Sequence, residues 1–346
     1  MTKRIALLVV LLGVVGVSLA SAAPRGYAWH DTPTGSAARL RGLSAVSSTT
    51  AWASGSLGTV LRTTDRGATW QSVGPPGTAT LQFRDIEAFD ANHAVIQSIG
   101  DNPTDFRIYV TADGGQSWTL TFVNQEPTAF YDCMTFFDAR RGLAVSDPPD
   151  GQHFRVIATD DGGLHWHVTG LQMPTAQPGE FAFAGSGQCI TTDHGRRAWF
   201  GTGGGAQARV FRSDDGGASW TVAATPMNSG PSAGIFALAF RGQQHGLAVG
   251  GDFLLETASP DNFARTSDGG ASWNLLGGAP SEYRSGATWL NGNTALAVGP
   301  SGSDVSTDAG STWQRFDDGS FDTVDCANPN ACWAAGANGR VAFLER

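Results

Sequence analysis

The sequence contains one lysine, Lys3, and few charged residues of any kind. Charged residues make up only 15% of the 346 positions, and no long run of like charge occurs. Acidic residues nevertheless predominate, because residues 23–346 hold 20 arginines against 31 aspartates and glutamates, a net charge of −11. Nucleic acid and anionic lipid are therefore not expected as partners, since both attract basic surfaces.

Cysteine is also scarce, with four residues in the chain. Cys326 and Cys332 flank a turn that contains proline, so we predict a disulfide bond between them. Cys133 and Cys189 lie in the first strands of two consecutive repeats, and the sequence leaves their pairing open. The cysteine spacings do not match a structural zinc site, and no histidine cluster accompanies them. We therefore expect no metal and no cofactor.

A long hydrophobic run occurs at the amino terminus. Lys3 and Arg4 precede the apolar residues 5–17, and Ala20-Ser21-Ala22 provides the small residues of a cleavage site. Residues 1–22 therefore read as a secretory signal peptide. The run is short for a membrane span, and no cysteine follows it for lipid attachment. We expect an exported, periplasmic or secreted monomer with no membrane span after cleavage.

The most abundant feature is a repeat of the form Ser/Thr-x-Asp-x-Gly-x-x-Trp. Its six copies lie 40 to 54 residues apart, a period typical of solenoids and propellers. The copies are TTDRGATW (63–70), TADGGQSW (111–118), TDDGGLHW (159–166), SDDGGASW (213–220), TSDGGASW (266–273) and STDAGSTW (306–313).

Each copy joins the third and fourth of four short apolar segments. Seven first segments are recognisable, at 40–46, 83–89, 131–137, 181–187, 235–240, 283–289 and 321–326. The seventh unit ends without a fourth strand, and a strand-like piece at 27–33 has no unit of its own. We predict an all-β, seven-bladed β-propeller in which this N-terminal strand closes the last blade. It forms a single domain over residues 23–346.

The aspartate in each repeat can be interpreted in two ways. It is either one of a row of catalytic acids or a staple that caps its own turn by accepting backbone N–H groups. Six copies at equivalent places in a ring cannot converge on one substrate, so the staple is favoured. The six residues are Asp65, Asp113, Asp161, Asp215, Asp268 and Asp308.

The repeat resembles the Asp-box, or bacterial neuraminidase (BNR) repeat. With segments such as FRDIEAFD, FYDCMTFFD and AGIFALAF, the chain is similar to the photosystem II stability and assembly factor-like family of YVTN/BNR-like proteins. The resemblance implies a propeller that binds a protein partner. Bacterial members are often labelled oxidoreductases, but this sequence has no dinucleotide-binding glycine motif and no haem or iron–sulfur cysteine motif.

Strand direction indicates where a ligand would bind. The aspartate turns lie on one face, so the entries to the first strands and the loops between second and third strands, which include Asp147, lie on the other. The predicted channel-mouth residues are Arg41, Arg84, Asp85, Tyr131, Asp132, Glu180, Arg284 and Asp322. Three arginines around one opening would bind an anion. In the alternative interpretation, they form salt bridges with Asp85, Asp132 and Asp322.

The predicted channel-mouth residues are compatible with two alternative functions. The favoured one is a non-enzymatic assembly factor that binds another protein or a small anionic ligand. The alternative is a glycoside hydrolase of sialidase type, which needs a tyrosine nucleophile paired with a glutamate. Tyr131 or Tyr283 hydrogen-bonded to Glu180 beside the three arginines would favour the enzyme.

Overall fold

Seven four-stranded antiparallel sheets form the seven blades of a β-propeller in the computed structural model. The structure describes residues 26–346, so the predicted signal peptide lies outside the described residues. Each blade runs from an inner strand at the channel to an outer strand at the rim. Within residues 26–346, no helix is long and apolar enough to cross a membrane.

The strands follow the chain in groups of four. After β1 (Ala28–Asp31), the inner-to-outer strands are β2–β5 (Leu40–Ala45, Ala51–Gly55, Val60–Thr63, Gln71–Ser72) in blade 1; β6–β9 (Gln82–Ala88, Ala94–Ile99, Arg107–Thr111, Thr119–Val123) in blade 2; β10–β13 (Tyr131–Phe136, Gly142–Ser146, Arg155–Thr159, His167–Thr169) in blade 3; β14–β17 (Ile190–Thr192, Ala198–Gly201, Arg209–Ser213, Thr221–Ala224) in blade 4; β18–β21 (Ala233–Arg241, His245–Asp252, Phe263–Thr266, Asn274–Leu275) in blade 5; β22–β25 (Gly286–Trp289, Ala295–Gly299, Gly302–Ser306, Gln314–Asp317) in blade 6; and β26–β28 (Thr323–Asn328, Ala331–Ala335, Val341–Glu345) in blade 7. Two single-turn 3₁₀ helices occur, at Pro103–Asp105 and Ala337–Gly339.

The N-terminal strand closes the ring, as predicted. Strand β1 pairs antiparallel with β28, from Ala28 opposite Glu345 to Asp31 opposite Ala342, and becomes the outer strand of blade 7. Trp29 also donates its indole N–H to Ser303 Oγ of blade 6 at 3.0 Å. Closure gives blade 7 its fourth strand and pairs β28 on both sides, which protects a sheet edge that would otherwise bind other chains.

The core lies between neighbouring blades. The second strands are buried along their whole length in most blades, for example β7 and β11, because adjacent blades cover both of their faces. Large aromatic side chains fill the gaps, with Trp52, Trp199 and Trp333 all fully buried. The continuous apolar runs in these strands follow from burial on two faces.

The repeated turn has the same pattern of hydrogen bonds in all six copies, except that the His165 imidazole replaces the second hydroxyl donor at Asp161. In blade 1, the Asp65 carboxylate accepts hydrogen bonds from the Thr63 hydroxyl at 2.8 Å, the Thr69 N–H at 2.9 Å and the Thr69 hydroxyl at 2.6 Å. Gly67, whose φ of +76° favours glycine, donates its N–H to Thr63. The equivalent bonds from Ser117 lower the pKa of Asp113 to about 2. Each aspartate is thus engaged within its own turn, which is the staple geometry.

Both cysteine pairs form disulfide bonds. Cys326 and Cys332 join the ends of β26 and β27, with Cα atoms 4.0 Å apart. Cys133 and Cys189, whose pairing the sequence left open, join β10 of blade 3 to the residue before β14 of blade 4, with Cα atoms 6.0 Å apart. The second disulfide therefore links the channel walls of two blades.

The prediction that residues 181–187 form the inner strand of blade 4 is wrong. That strand is β14, which begins at Ile190, and residues 181–188 instead cross the channel as an irregular plug segment. Gly185 and Gly187 interrupt the apolar pattern, and Gly187 has a φ of +76°. A Cβ atom on Gly187 would lie 2.5 Å from Asp85 Oδ1, so the crossing requires glycine there.

Hydrogen bonds join the plug segment to the opposite side of the ring. Ala184 O accepts from Arg84 of blade 2 at 2.7 Å, and the Ser186 hydroxyl donates to Ser285 O beside blade 6 at 2.6 Å. The Gln188 amide donates to Val324 O of blade 7 at 2.9 Å. Residues 181–185 line the cavity on the upper face, and residues 186–188 line the cavity on the lower face, where the aspartate turns lie. The segment therefore divides the channel into two compartments.

We expect Asp215→Ala to lower the free energy of unfolding by about 1–2 kcal/mol, the usual effect of losing a capping carboxylate. Asp215 accepts hydrogen bonds from Ser213 and from both the N–H and the hydroxyl of Ser219. The adjacent Asp214 is the matched control, because its exposed carboxylate pairs only with arginine side chains at the surface. Denaturant unfolding should show a smaller loss for Asp214→Ala, and equal losses would contradict the staple.

Candidate functional site

One-residue bulges direct four inner-strand side chains to the upper end of the channel. The register shifts between Leu40 and Gly42, Phe83 and Asp85, Tyr131 and Cys133, and Ile235 and Ala237. The bulged residues are Arg41, Arg84, Asp132 and Phe236, and all four line one cavity. A bulge at the same place in several blades therefore builds the mouth.

This upper cavity has a volume of about 370 Å³ and two chemically different walls. The charged wall contains Arg39, Arg41, Arg84, Asp132, Asp147, Glu256 and Asp322. The aromatic wall contains Phe130, Phe181, Phe183, Phe236, Phe253 and Tyr283. A cavity of this composition suits an anionic group attached to an apolar body.

The three arginines differ in how fully they are satisfied. Arg39 forms a bidentate ion pair with Asp322, with Nε and Nη2 at 2.8 and 2.6 Å from the two carboxylate oxygens. Arg84 donates to Ala184 O and to Gln82 Oε1. Arg41 forms no hydrogen bond or ion pair with the described residues, and its buried Nε has no acceptor. Arg41 is thus available to a ligand.

Mutual repulsion among the arginines favours an added anion. Burial, together with the positive charges of Arg41 and Arg39, lowers the pKa of Arg84 to about 9. Burial and the nearby Arg39 also lower the pKa of Arg41. Arg84 remains a cation at pH 7, so the cavity holds crowded positive charge that an anion would stabilise.

Two acidic side chains lie beside the arginines and contact each other. Asp132 is 1% exposed, and no donor reaches its Oδ2. A hydrogen bond with Asp147 is one cause of the raised pKa of Asp132, and Asp147 Oδ1 accepts the Ala182 N–H at 2.8 Å. Burial raises the pKa of both acids, that of Asp147 to about 7. We refer to Asp132 and Asp147 as the acid pair.

The aromatic wall extends from the channel to an exposed loop. Phe183 stacks on Phe236 with ring centroids 3.9 Å apart, and Phe236 also contacts Tyr283 and Phe253. Phe253 is 41% exposed at the rim, and the adjacent Leu254 is 72% exposed. The apolar surface therefore continues outward beside the mouth.

Four predicted site residues meet in this cavity: Arg41, Arg84, Asp132 and Asp322. The prediction for Arg284 is corrected by the structure. The pairing of β22 with β23 has no bulge, and the Arg284 N–H instead bonds to Gly250 O of blade 5. The fully buried guanidinium turns away from the channel to Asp304 in β24, at 2.6 Å. Without the extra residue, the side chain faces between the blades.

Glu180 and Tyr131 also lie outside the upper cavity. Glu180 forms a buried ion pair with Arg209 and accepts a hydrogen bond from Thr202. Tyr131 packs against Phe122 with ring centroids 5.3 Å apart. Among the described residues, neither Tyr131 nor Tyr283 is hydrogen-bonded to Glu180, so the tyrosine–glutamate pair that would favour a hydrolase is not assembled.

Sequence reasoning missed Arg39 and the aromatic wall. The alternation Arg39-Leu40-Arg41 could have predicted Arg39, because residues two apart on a strand share a face and Arg41 was already expected at the mouth. The aromatic wall had no comparable signal. Phe181 and Phe183 belong to the plug segment, whose path depends on contacts with other blades.

Known structures share this architecture. YCF48 from Cyanidioschyzon merolae is similar over 91% of this chain and 98% of its own, with a TM-score of 0.66 and 14% identity. A structure of YCF48 bound to a D1 peptide covers 92% of this chain and 94% of its own, with a TM-score of 0.62 and 15% identity. A GH74 xyloglucanase from Xanthomonas campestris covers 91% of this chain, which spans 53% of that enzyme, with a TM-score of 0.61 and 13% identity.

At these identities, the likeness shows the fold alone. No family model matches the sequence, and no curated protein matches it.

The opposite end of the channel is acidic. Asp85, predicted for the mouth, instead lines a lower cavity of about 390 Å³ with Glu87 and Asp325. Asp85 accepts the Met134 N–H of blade 3 at 2.7 Å, and Asp325 accepts the Ala45 N–H of blade 1 at 2.8 Å. These two hydrogen bonds join neighbouring blades. Within residues 26–346, no group of histidine, cysteine and acidic side chains is arranged to hold a metal ion.

Stability should fall as pH rises. Burial raises the pKa of Asp85 to about 8, whereas an unfolded aspartate titrates near pH 4. The folded protein therefore keeps a proton that the unfolded chain releases, and the free energy of unfolding should decrease between pH 5 and 8 by about 1.4 kcal/mol per pH unit for such a group.

Denaturant unfolding across this range checks the pH dependence. Asp85→Asn should reduce the slope of stability against pH, because the proton-binding group is removed. Asp101→Asn, which changes an exposed loop carboxylate, should leave the slope as in the wild type. A wild-type profile that rises from pH 5 to 8 would disprove the expectation.

Proposed function

We propose that this protein is an exported, non-enzymatic binding protein that engages a protein partner at the upper cavity through an anionic group of that partner. The observation that carries the proposal is the unpaired Arg41 guanidinium beside Arg39 and Arg84. Arginine binds carboxylate and phosphate with two parallel hydrogen bonds, and such pairs strengthen where water is excluded.

The size and walls of the cavity define the contact. A volume of about 370 Å³ admits a few side chains or a small anion, but not a folded domain. A protein partner would therefore insert a short segment, with its anionic group on the arginines and its apolar part on Phe183 and Phe236. The exposed Phe253 and Leu254 would extend the contact outside the mouth.

The comparisons support a partner of this kind. A YCF48 structure with a bound D1 peptide has the same fold over nearly the whole of both chains. By that likeness, the chain would act as a binding or assembly factor. Export is consistent with the predicted signal peptide and with two disulfide bonds, which persist in oxidising compartments.

The hydrolase alternative has weaker support. It rests on the fold shared with a GH74 enzyme and on the acid pair. Catalytic carboxyls of glycosidases stand about 5 Å apart in retaining enzymes and about 6.5–9.5 Å apart in inverting ones. Asp132 and Asp147 are hydrogen-bonded to each other, which leaves no room for a glycosidic bond between them.

Capture from the envelope fraction of the source organism tests the proposal. The bait proteins are the wild type and the Arg41→Ala/Arg84→Ala variant. The control is Arg140→Ala/Arg196→Ala, which removes two exposed arginines elsewhere. The partner that the wild type recovers is then titrated against all three. The mouth variant should bind at least tenfold more weakly, because truncating one member of a buried charge pair costs about 2–5 kcal/mol.

Equal affinity of the mouth variant and the wild type would contradict the proposal. Hydrolysis of an oligosaccharide that disappears in Asp132→Asn would instead establish the enzyme.

A further inference from the structure

The acid pair has a position that sequence spacing does not reveal. Asp132 occupies the bulge of β10, and Asp147 directly follows Ser146, the residue opposite Tyr131 in β11. The bulge therefore turns the Asp132 carboxyl toward the end of the neighbouring strand. Both side chains line the upper cavity together with the arginines.

Contact between two carboxyl groups requires a proton. An ionised carboxylate only accepts hydrogen bonds, so a hydrogen bond between Asp132 and Asp147 needs one proton on the pair, and the neutral pair carries a second. Among the described residues, no hydrogen-bond donor reaches Asp132 Oδ2 to stabilise it as an anion. Burial adds to this effect, because it disfavours the charged form.

The pair is connected to Arg84 through the plug segment. Asp147 accepts the Ala182 N–H at 2.8 Å, and two residues later Ala184 O accepts the Arg84 guanidinium at 2.7 Å. The short stretch 182–184 is thus held between the acid pair and one of the anion-binding arginines. A negative charge on Asp132 would favour the charged guanidinium of Arg84 and so compete with a bound anion for it.

We propose that the upper cavity binds an anion together with a proton: the acid pair is neutral when the anion is bound, and its ionisation at higher pH expels the anion by supplying a competing negative charge beside Arg84. This inference rests on the proposed function and adds a proton as the second ligand of the same site. Linkage requires the converse as well, so the bound anion raises the proton affinity of the pair.

The surrounding ionisable groups identify the pair as the source of the effect. The upper cavity contains none of the seven histidines. The groups that face or adjoin the pair are Arg39, Arg41, Arg84, Tyr131, Glu180, Glu256, Tyr283 and Asp322. Burial raises the pKa of both tyrosines above their usual value, and Glu180 is paired with Arg209. The pKa of Asp147, at about 7, falls where a proton is exchanged under ordinary conditions.

Sulfate is a suitable probe, because its charge does not change between pH 5.5 and 8. Calorimetric titration of the wild type at constant ionic strength should show affinity about tenfold lower at pH 8 than at pH 5.5, within the usual range of coupling between sites. Near pH 7, titration in two buffers with different ionisation heats should show proton uptake with each sulfate bound. Arg41→Ala should abolish binding at every pH.

Variants of the pair separate this proton link from a structural role. Asp132→Asn/Asp147→Asn keeps the shape and removes both ionisable groups, so its sulfate affinity at pH 8 should match the wild-type value at pH 5.5. Should that variant not fold, as judged by circular dichroism, Asp147→Asn alone should also flatten the profile. Asp160→Asn removes an exposed carboxylate outside this cavity and should retain the wild-type affinity and its dependence on pH.

The outcomes distinguish the two proposals. Sulfate binding that depends on Arg41 but not on pH would overturn the proton link and leave the proposed function standing. A wild-type pH dependence that persists in both pair variants would also overturn the link. Absence of sulfate binding at all pH values, or binding unaffected by Arg41→Ala, would overturn the link and remove the anion site on which the proposed function depends.

Discussion

Closure of the ring is the constraint on which the other features depend. Strand β1, near the N-terminus, pairs with β28, near the C-terminus, and this pairing completes the ring of inner strands around one channel. Buried carboxyls reinforce the closure at the lower end, where Asp325 of blade 7 accepts the Ala45 N–H of blade 1. The side chains of Arg41, Arg84, Asp132 and Phe236 converge because their strands are fixed around that channel.

Within the closed ring, local departures from regular pairing determine the chemistry. A bulge in β2, β6 and β10 turns one polar side chain per blade into the mouth. The inner strand of blade 6 has no such bulge, and Arg284 turns away to Asp304. The plug segment then separates this mouth from the acidic lower cavity. The hydrogen bonds of the plug segment to Arg84 and Asp147, and the Cys133–Cys189 disulfide directly after it, hold one wall of the upper cavity in place.

The two ends of the channel therefore have opposite character. The upper cavity combines crowded arginines, an aromatic wall and an acid pair, which suits an anion carried on an apolar segment. The lower cavity contains Asp85 and Asp325, whose pKa burial raises and whose carboxyls join neighbouring blades. The placement of ionisable groups thus gives the same channel a binding end and a stabilising end.

The sequence by itself determined the class of fold, the blade count and the turn staples. These depend on local chemistry repeated at a fixed period, such as the contact between Asp215 and Ser219 four residues later. Arg41 and Arg84 could likewise be located, because they enter corresponding strands. Tertiary structure decided the direction of Arg284, the crossing of residues 181–188 and the contact of Asp132 with Asp147. Each depends on a bulge or on hydrogen bonds between blades, and partners that come together only when the ring closes leave no periodic signal in the chain.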